Sequence, residues 1–215
     1  MSTACDFSLD HYRELVRAAK AGGYRFAGFD RPPEQGVVIL RHDVDLSLDG
    51  ALAVAEVEAD EGVWSTWFLM TRSVFYNLAS SDGDRALARL RELGHRVAHH
   101  AVYPHVDLDE RFDPVVAWHN PDPEYMQAPI DGAVNVMQPL FFDPDHYRSD
   151  SNQHWRHGCP HEQLASGAFE WLQLLTHPEI WAFEGATMRA SMESMLDADH
   201  ASRVARLRAD RIDMS

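Results

Sequence analysis

Four short apolar stretches of the chain run directly into histidine or carboxylate. "VVIL" leads into Arg41-His42-Asp43-Val44-Asp45, and "RVA" into His99-His100 with His105 just beyond. "VVAW" leads into His119-Asn120-Pro121, and "WLQLLT" into His177-Pro178-Glu179. A single histidine in such a place is ordinarily a surface or capping residue. Four coincident cases weaken that explanation. Imidazole and carboxylate together are the ligands of divalent ions, and an ion with open positions activates water and polarises a carbonyl. A carboxylate and an imidazole beside the ion can then take and give protons. The chemistry is metal-assisted hydrolysis, provided the four ends meet.

Whether they meet depends on the elements between them. "GVVIL" (36–40) is a short apolar run and reads as a buried strand. "VWSTWFLM" (63–70) is aromatic and β-branched, hence a second strand. "RVAHHAV" (96–102), "PVVAWHN" (114–120) and "EWLQLLTH" (170–177) supply a third, a fourth and a late one. Ser8 can cap a first helix that ends at Gly22-Gly23. Ser47 can cap a second to about Glu61, and Asp82 a third closed by Gly94. The last 30 residues, rich in Ala, Met and Arg, read as helix. Strand–helix alternation predicts an α/β fold with a parallel sheet or barrel, and residues 1–215 show no linker or repeat, so one domain is expected. In such folds the strand carboxyl ends converge on one edge, where the site forms. Asp43 and Asp45 are two apart, so a regular strand puts both on one face.

In order along nearly the whole chain, these segments resemble the polysaccharide deacetylases, metal-dependent hydrolases that remove acetyl groups from sugars. "LRHDVD" is similar to the family's first motif, "GVWSTWFLM" to its second strand and "LGHRVAHH" to the strand carrying a metal histidine. "YRSDSNQHW" (147–155) is similar to a stretch common in bacterial branches, and "LLTHP" to the last motif. The resemblance implies a distorted, partly open (β/α) barrel with Asp43 as base, Asp45 and His100 as ligands of a divalent ion, zinc foremost, and His177 as general acid. It implies Asn135 and Asp150 as groove residues; by side-chain chemistry Arg41 or His42 could hold the base ionised and oriented, and Arg41 and Trp155 are further substrate-binding candidates. The family's second metal histidine usually lies four residues after the first, but that position is Pro104. His105 is one residue late and His119 is one strand away; His119 is favoured. Only about ten residues separate His105 from the fourth strand, too few for the usual helix, so the barrel should be shortened there.

"HWRHGCPH" holds His154, His157, Cys159 and His161 without a standard metal spacing, and reads as a histidine-rich loop near the substrate. Tyr103, Trp118, Trp155 and Trp181 could stack on sugar rings or pack in the core. No glycine-rich phosphate loop is present. The 19 basic and 34 acidic residues give a formal charge of −15, which disfavours nucleic acid and anionic lipid as partners. No apolar run is long enough to span a membrane and no signal peptide is evident, so a cytoplasmic enzyme is expected. Cys5 and Cys159 are far apart in sequence, make no disulfide framework and suit a reducing compartment. The substrate expected is a small-molecule or carrier-linked sugar bearing an acyl group. The competing readings are hydrolysis of a non-sugar C–N bond on the same fold, and a carbohydrate-binding protein without turnover.

Overall fold

The computed structural model describes residues 5–213. Along the chain run α1 (Leu9–Ala21), β1 (Arg25–Phe26), β2 (Val37–Val44), α2 (Leu48–Asp60), β3 (Thr66–Leu69), α3 (Ser81–Glu92), β4 (Arg96–Ala101) and β5 (Val115–Trp118). They are followed by β6 (Val134–Asn135), β7 (Tyr147–Ser149), a 3-10 turn (Ser151–Gln153), α4 (His161–Ala165), β8 (Trp171–Thr176), α5 (Pro178–Ala182) and α6 (Met188–Ala209). Among the described residues these strands pair in parallel, in the order β6-β5-β4-β3-β2-β8-β7, with β1 beside the start of β2. The sheet curls into a half-barrel left open between β6 and β7, flanked by helices. The partly open α/β barrel expected from the sequence is present at this level. The link from β4 to β5 contains no helix, as its length predicted.

β2 organises the rest. Every one of its residues is buried, because β8 lies along Val37 to His42 on one edge while β1 and then β3 pair with the other. A strand covered on both faces reads as continuous apolar sequence, which is why "GVVIL" was legible. Alternation then splits its side chains. Val38, Leu40 and Val44 enter the core beneath the helices, with Tyr12, Leu15, Val54 and Trp67. Val37 and Ile39 enter the concave interior, with Phe29, Phe68, Ala98 and Phe141. The residues that continue that inner row upward are Arg41, Asp43 and Asp45. The barrel is thus apolar at its floor and charged at its rim.

The helices start and stop for local reasons. The Ser8 hydroxyl accepts from the His11 backbone N–H at 3.1 Å, and the Ser47 hydroxyl from Gly50 at 3.0 Å. The third helix differs from expectation: its cap is Ser80, whose hydroxyl accepts from Gly83, and Asp82 lies inside the first turn. There a carboxylate still favours the helix N-terminus. The short strands β1, β6 and β7 carry no periodic signal and exist only through pairing with their neighbours. His99 explains how the β4–β5 link holds its shape without a helix. Its Nδ1 donates to the Val115 carbonyl at 3.3 Å, and its Nε2 accepts from the Asp109 N–H at 2.8 Å.

Ile39 is fully buried at the barrel floor. Ile39→Ala should lower the unfolding free energy by about 2–5 kcal/mol in denaturant titrations, the range for a core Ile→Ala cavity. A loss below about 1 kcal/mol would mean that the interior collapses around the gap and is not the rigid floor described above.

Candidate metal centre

Three strand ends deliver one close cluster. Asp45 follows β2, His100 is the inward residue near the end of β4, and His119 follows β5. Asp45 Oδ1 lies 3.0 Å from His100 Nε2 and 3.1 Å from His119 Nδ1, and the two nitrogens are 3.1 Å apart. Asp45 Oδ1 is buried and makes no hydrogen bond. His100 Nδ1 is 3.0 Å from the Ala117 carbonyl, which can only accept, so the proton sits on Nδ1 and the Nε2 lone pair faces the cluster. The His100 lone pair and the Asp45 oxygen thus face each other with His119 Nδ1 beside both, three atoms that can each serve as a ligand. Ligand atoms about 2.1 Å from an ion stand about 3.0–3.4 Å apart at octahedral to tetrahedral angles. The spacing, the oriented imidazole and the orphaned carboxylate oxygen all fit a divalent ion, whose identity the donor set leaves open.

Asp43 stands one turn of the pleat below. Arg41 Nε and one terminal nitrogen donate to its two oxygens at 2.8 and 2.7 Å, and Asp43 Oδ2 is 3.7 Å from His100 Nε2. Gln173 on β8 completes the support: it accepts from Arg41 at 3.2 Å and donates to the Phe141 carbonyl at 2.6 Å. Burial pushes the Asp43 carboxyl up, but Arg41, with His100 and His177, outweighs it and the group is held below the usual carboxylate range. For Asp45 burial is likewise overcome, here by His100 and His119, and its pKa is also lowered. Contact with Asp45 in turn raises the His119 imidazole.

His177 approaches from β8. It caps α5, and its Nε2 lies 4.0 Å from Asp45 Oδ2. Asp150 Oδ1 accepts from His177 Nδ1 at 2.6 Å, and the same carboxylate accepts from the His177 backbone N–H and from Trp181 Nε1 at 2.6 Å. Burial disfavours charge on this ring, yet Asp150, with Asp43 and Glu179, raises its pKa to about 10.

Several expected residues take other roles. His105 is exposed and stands outside the metal cluster, in a cleft of about 170 Å3 beside His100 that Arg72 and Asp107 also line. Arg41 and Asp150 are fully buried and give their groups to Asp43 and His177; for Arg41 this is the base-holding role that its place beside Asp43 suggested, while Asp150 lines no groove. Asn135 is fully buried and donates to the Met126 and Ala128 carbonyls, which fixes a loop. Trp155 is 5 % exposed and stacks on Phe7 at 6.3 Å, packed into the core on the helical side. The loop "HWRHGCPH" sends Cys159 to that side too, against His11, rather than to the centre.

Two buried acids have no role in the sequence patterns above: Glu179, which enters only within the late strand's polar end, and Glu58, which does not enter at all. Glu179 sits beside His177 with Oε2 unpartnered, and burial pushes its carboxyl up to about 8. Glu58 on α2 accepts from Tyr12 at 2.6 Å and Ser65 at 2.5 Å, and contacts His42 Nε2 at 2.9 Å. An acid at helical spacing from Ala51, Val54 and Ala55 was the available signal. Comparison of the chain with protein-family models, curated proteins and solved structures finds no match.

Asp45→Asn and His119→Ala should each cost one equivalent of Zn2+ in equilibrium dialysis, while His105→Ala costs none. The reverse pattern would move the third ligand to His105. In metal-free protein, histidine NMR should show His177 titrating near 10. Because its folded pKa lies above the unfolded value, its contribution to stability is complete below the unfolded value and fades as pH rises through the folded one. Asp150→Asn should bring the titration down toward the ordinary histidine range, about 6.5; an unchanged titration would remove Asp150 as the cause.

Proposed function

We propose that the protein is a metal-dependent hydrolase of the polysaccharide deacetylase type that removes an acetyl or similar acyl group from an amino sugar or glycoconjugate. The observation that carries this reading is the placement of a fixed carboxylate, Asp43, and a fixed imidazole, His177, on different strands beside the Asp45–His100–His119 cluster. Hydrolysis of an acyl bond needs a base for the attacking water and an acid for the departing amine or alkoxide. The two groups are prepared for those opposite tasks. Arg41 keeps Asp43 ionised and aims it, so a carboxylate oxygen takes the proton of a water as its oxygen bonds to the acyl carbon. Asp150 keeps His177 protonated through Nδ1 and leaves Nε2 to donate as the acyl C–N or C–O bond breaks. The products are the free acid and the amine or alcohol. A divalent ion held by Asp45, His100 and His119 supplies Lewis-acid polarisation of the carbonyl and acidification of water when bound. A pure binding protein would need neither a held base nor a held acid, which weighs against that alternative.

Acetate release from a panel of N- and O-acetylated sugars, with zinc-loaded protein, tests the proposal. On any substrate found, Asp43→Asn and His177→Ala should keep the bound ion and lose about 10²–10⁴-fold in kcat. Asp43→Asn leaves the Arg41 charge buried, so its fold is checked by circular dichroism, and His177→Ala is the cleaner variant. Turnover at the wild-type rate in both would overturn the assignment. Acyl release only from non-sugar amides would retain the mechanism and replace the substrate class.

A further inference from the structure

On the helical side of the sheet, separated from Asp150 by the Trp181 ring, the fold gathers three other ligand groups. Cys5 precedes α1, His11 lies in its first turn and Cys159 precedes α4; their ligand atoms all lie within 4.8 Å of one another. His11 Nε2 is 3.3 Å from Cys159 Sγ. The other ring nitrogen, Nδ1, donates to Glu14 Oε2 at 3.1 Å, which fixes the proton there and turns the Nε2 lone pair to the sulfurs. A carboxylate behind a histidine is the usual support of a metal-binding imidazole. Both sulfurs also receive N–H groups: Trp155 Nε1 donates to Cys5 Sγ at 3.4 Å, and the His161 backbone N–H donates to Cys159. Such donors stabilise sulfur that carries negative charge. Phe7, Trp155 and Trp181 surround the cluster with aromatic rings, the first two 6.3 Å apart.

We propose that Cys5, His11 and Cys159 bind a second divalent ion of the zinc class, with His161, whose ring centroid lies 6.0 Å from that of His11, as the fourth ligand. Two thiolates neutralise a dication, and thiolate with imidazole is the donor set of closed, structural zinc. On such an ion two thiolates stand about 3.8 Å apart, and a thiolate and an imidazole slightly closer, which the cluster meets with small adjustments. A disulfide would use only the sulfurs and leave the oriented His11–Glu14 pair without a purpose. The ion would tie the segment before α1 to the loop before α4; at their other ends the two helices approach closely, where Gly22 has no side chain to run into the Leu164 carbonyl. Closing so long a loop restricts the unfolded chain and makes ion binding part of folding.

The test uses the full chain held under a phosphine reductant and titrated with Co2+, then with Zn2+. Wild-type protein should bind two equivalents of Zn2+ and show an intense thiolate-to-cobalt charge-transfer band in the near ultraviolet. Asp45→Asn/His119→Ala should keep the band and one equivalent. Cys159→Ser should lose the band and keep the other equivalent, and Glu14→Gln should weaken cobalt binding about 10–100-fold. His161→Ala should change the band's intensity by altering the coordination. Wild-type protein alone can refute the proposal, so it survives any failure of a variant to fold. Absence of a thiolate band, or an intact mass two hydrogens short under the reductant, would overturn it. A single equivalent lost only with Asp45 would overturn it as well and leave the first centre standing.

Discussion

A guanidinium with no exposure to solvent lies in the middle of the half-barrel. Arg41 cannot shed its proton, so the interior must compensate its charge on the spot. Asp43 does so through both oxygens, and Gln173 takes a further N–H. Removing one partner of such a buried pair typically costs about 3–5 kcal/mol, because the other charge is stranded. The pair lies wholly on β2, and the Arg41–Gln173 hydrogen bond ties that inner row to β8. The pair also decides where apolar barrel gives way to polar rim, and every ligand of the candidate centre lies at or above that level.

Strand alternation carries the consequences to the other face. His42 stands between Arg41 and Asp43 in sequence but points to the helical side. Its ring stacks on Trp67 at a centroid distance of 4.0 Å, its Nδ1 meets Thr176 Oγ1 at 2.7 Å, and its Nε2 meets Glu58. Thr176 is the residue before His177. Two polar systems thus sit back to back across one sheet, joined through β2 and β8. The outer one reaches no rim residue directly. It holds the two strand ends in register, as the pairing of His42 with Thr176 records, and so fixes the direction from which His177 enters.

The parts of the site legible in the sequence were those that strand periodicity and strand direction determine. Asp43 and Asp45 share a face because they are two apart, and His100 and His119 meet Asp45 because parallel strands end at one edge. Contacts made through loops were not legible. His105 lies nearer His100 in sequence than His119 does, but the turn after β4 carries it outward. Asn135, Asp150 and Trp155 have the right chemistry for substrate contacts, yet residue type does not reveal burial, and burial commits each to a protein partner. The Cys5–His11–Cys159 cluster depends on packing of α1 against α4, whose contact no local pattern announces. Asp82 failed as a cap for a smaller reason: two serines precede it, and the first of them fits.

Charge balance connects the two halves of the centre. Asp43 and Asp45 are held ionised and Asp150 faces a protonated His177, whereas Glu179, with its carboxyl pushed up to about 8, is neutral at pH 7. With His119 neutral, as a metal ligand must be, three carboxylates then face two fixed cations, Arg41 and His177, and the rim without its ion is slightly negative. A dication reverses that sign. A rim one charge positive is complementary to the single negative charge that develops on an acyl oxygen as water adds, and preorganised complementarity of this kind usually contributes more to hydrolytic catalysis than any other single effect. If Glu179 were ionised as well, that surplus would vanish. Keeping a carboxyl buried, unpaired and protonated is costly for stability, and on the proposed reading its effect is to hold the rim at the charge the reaction requires.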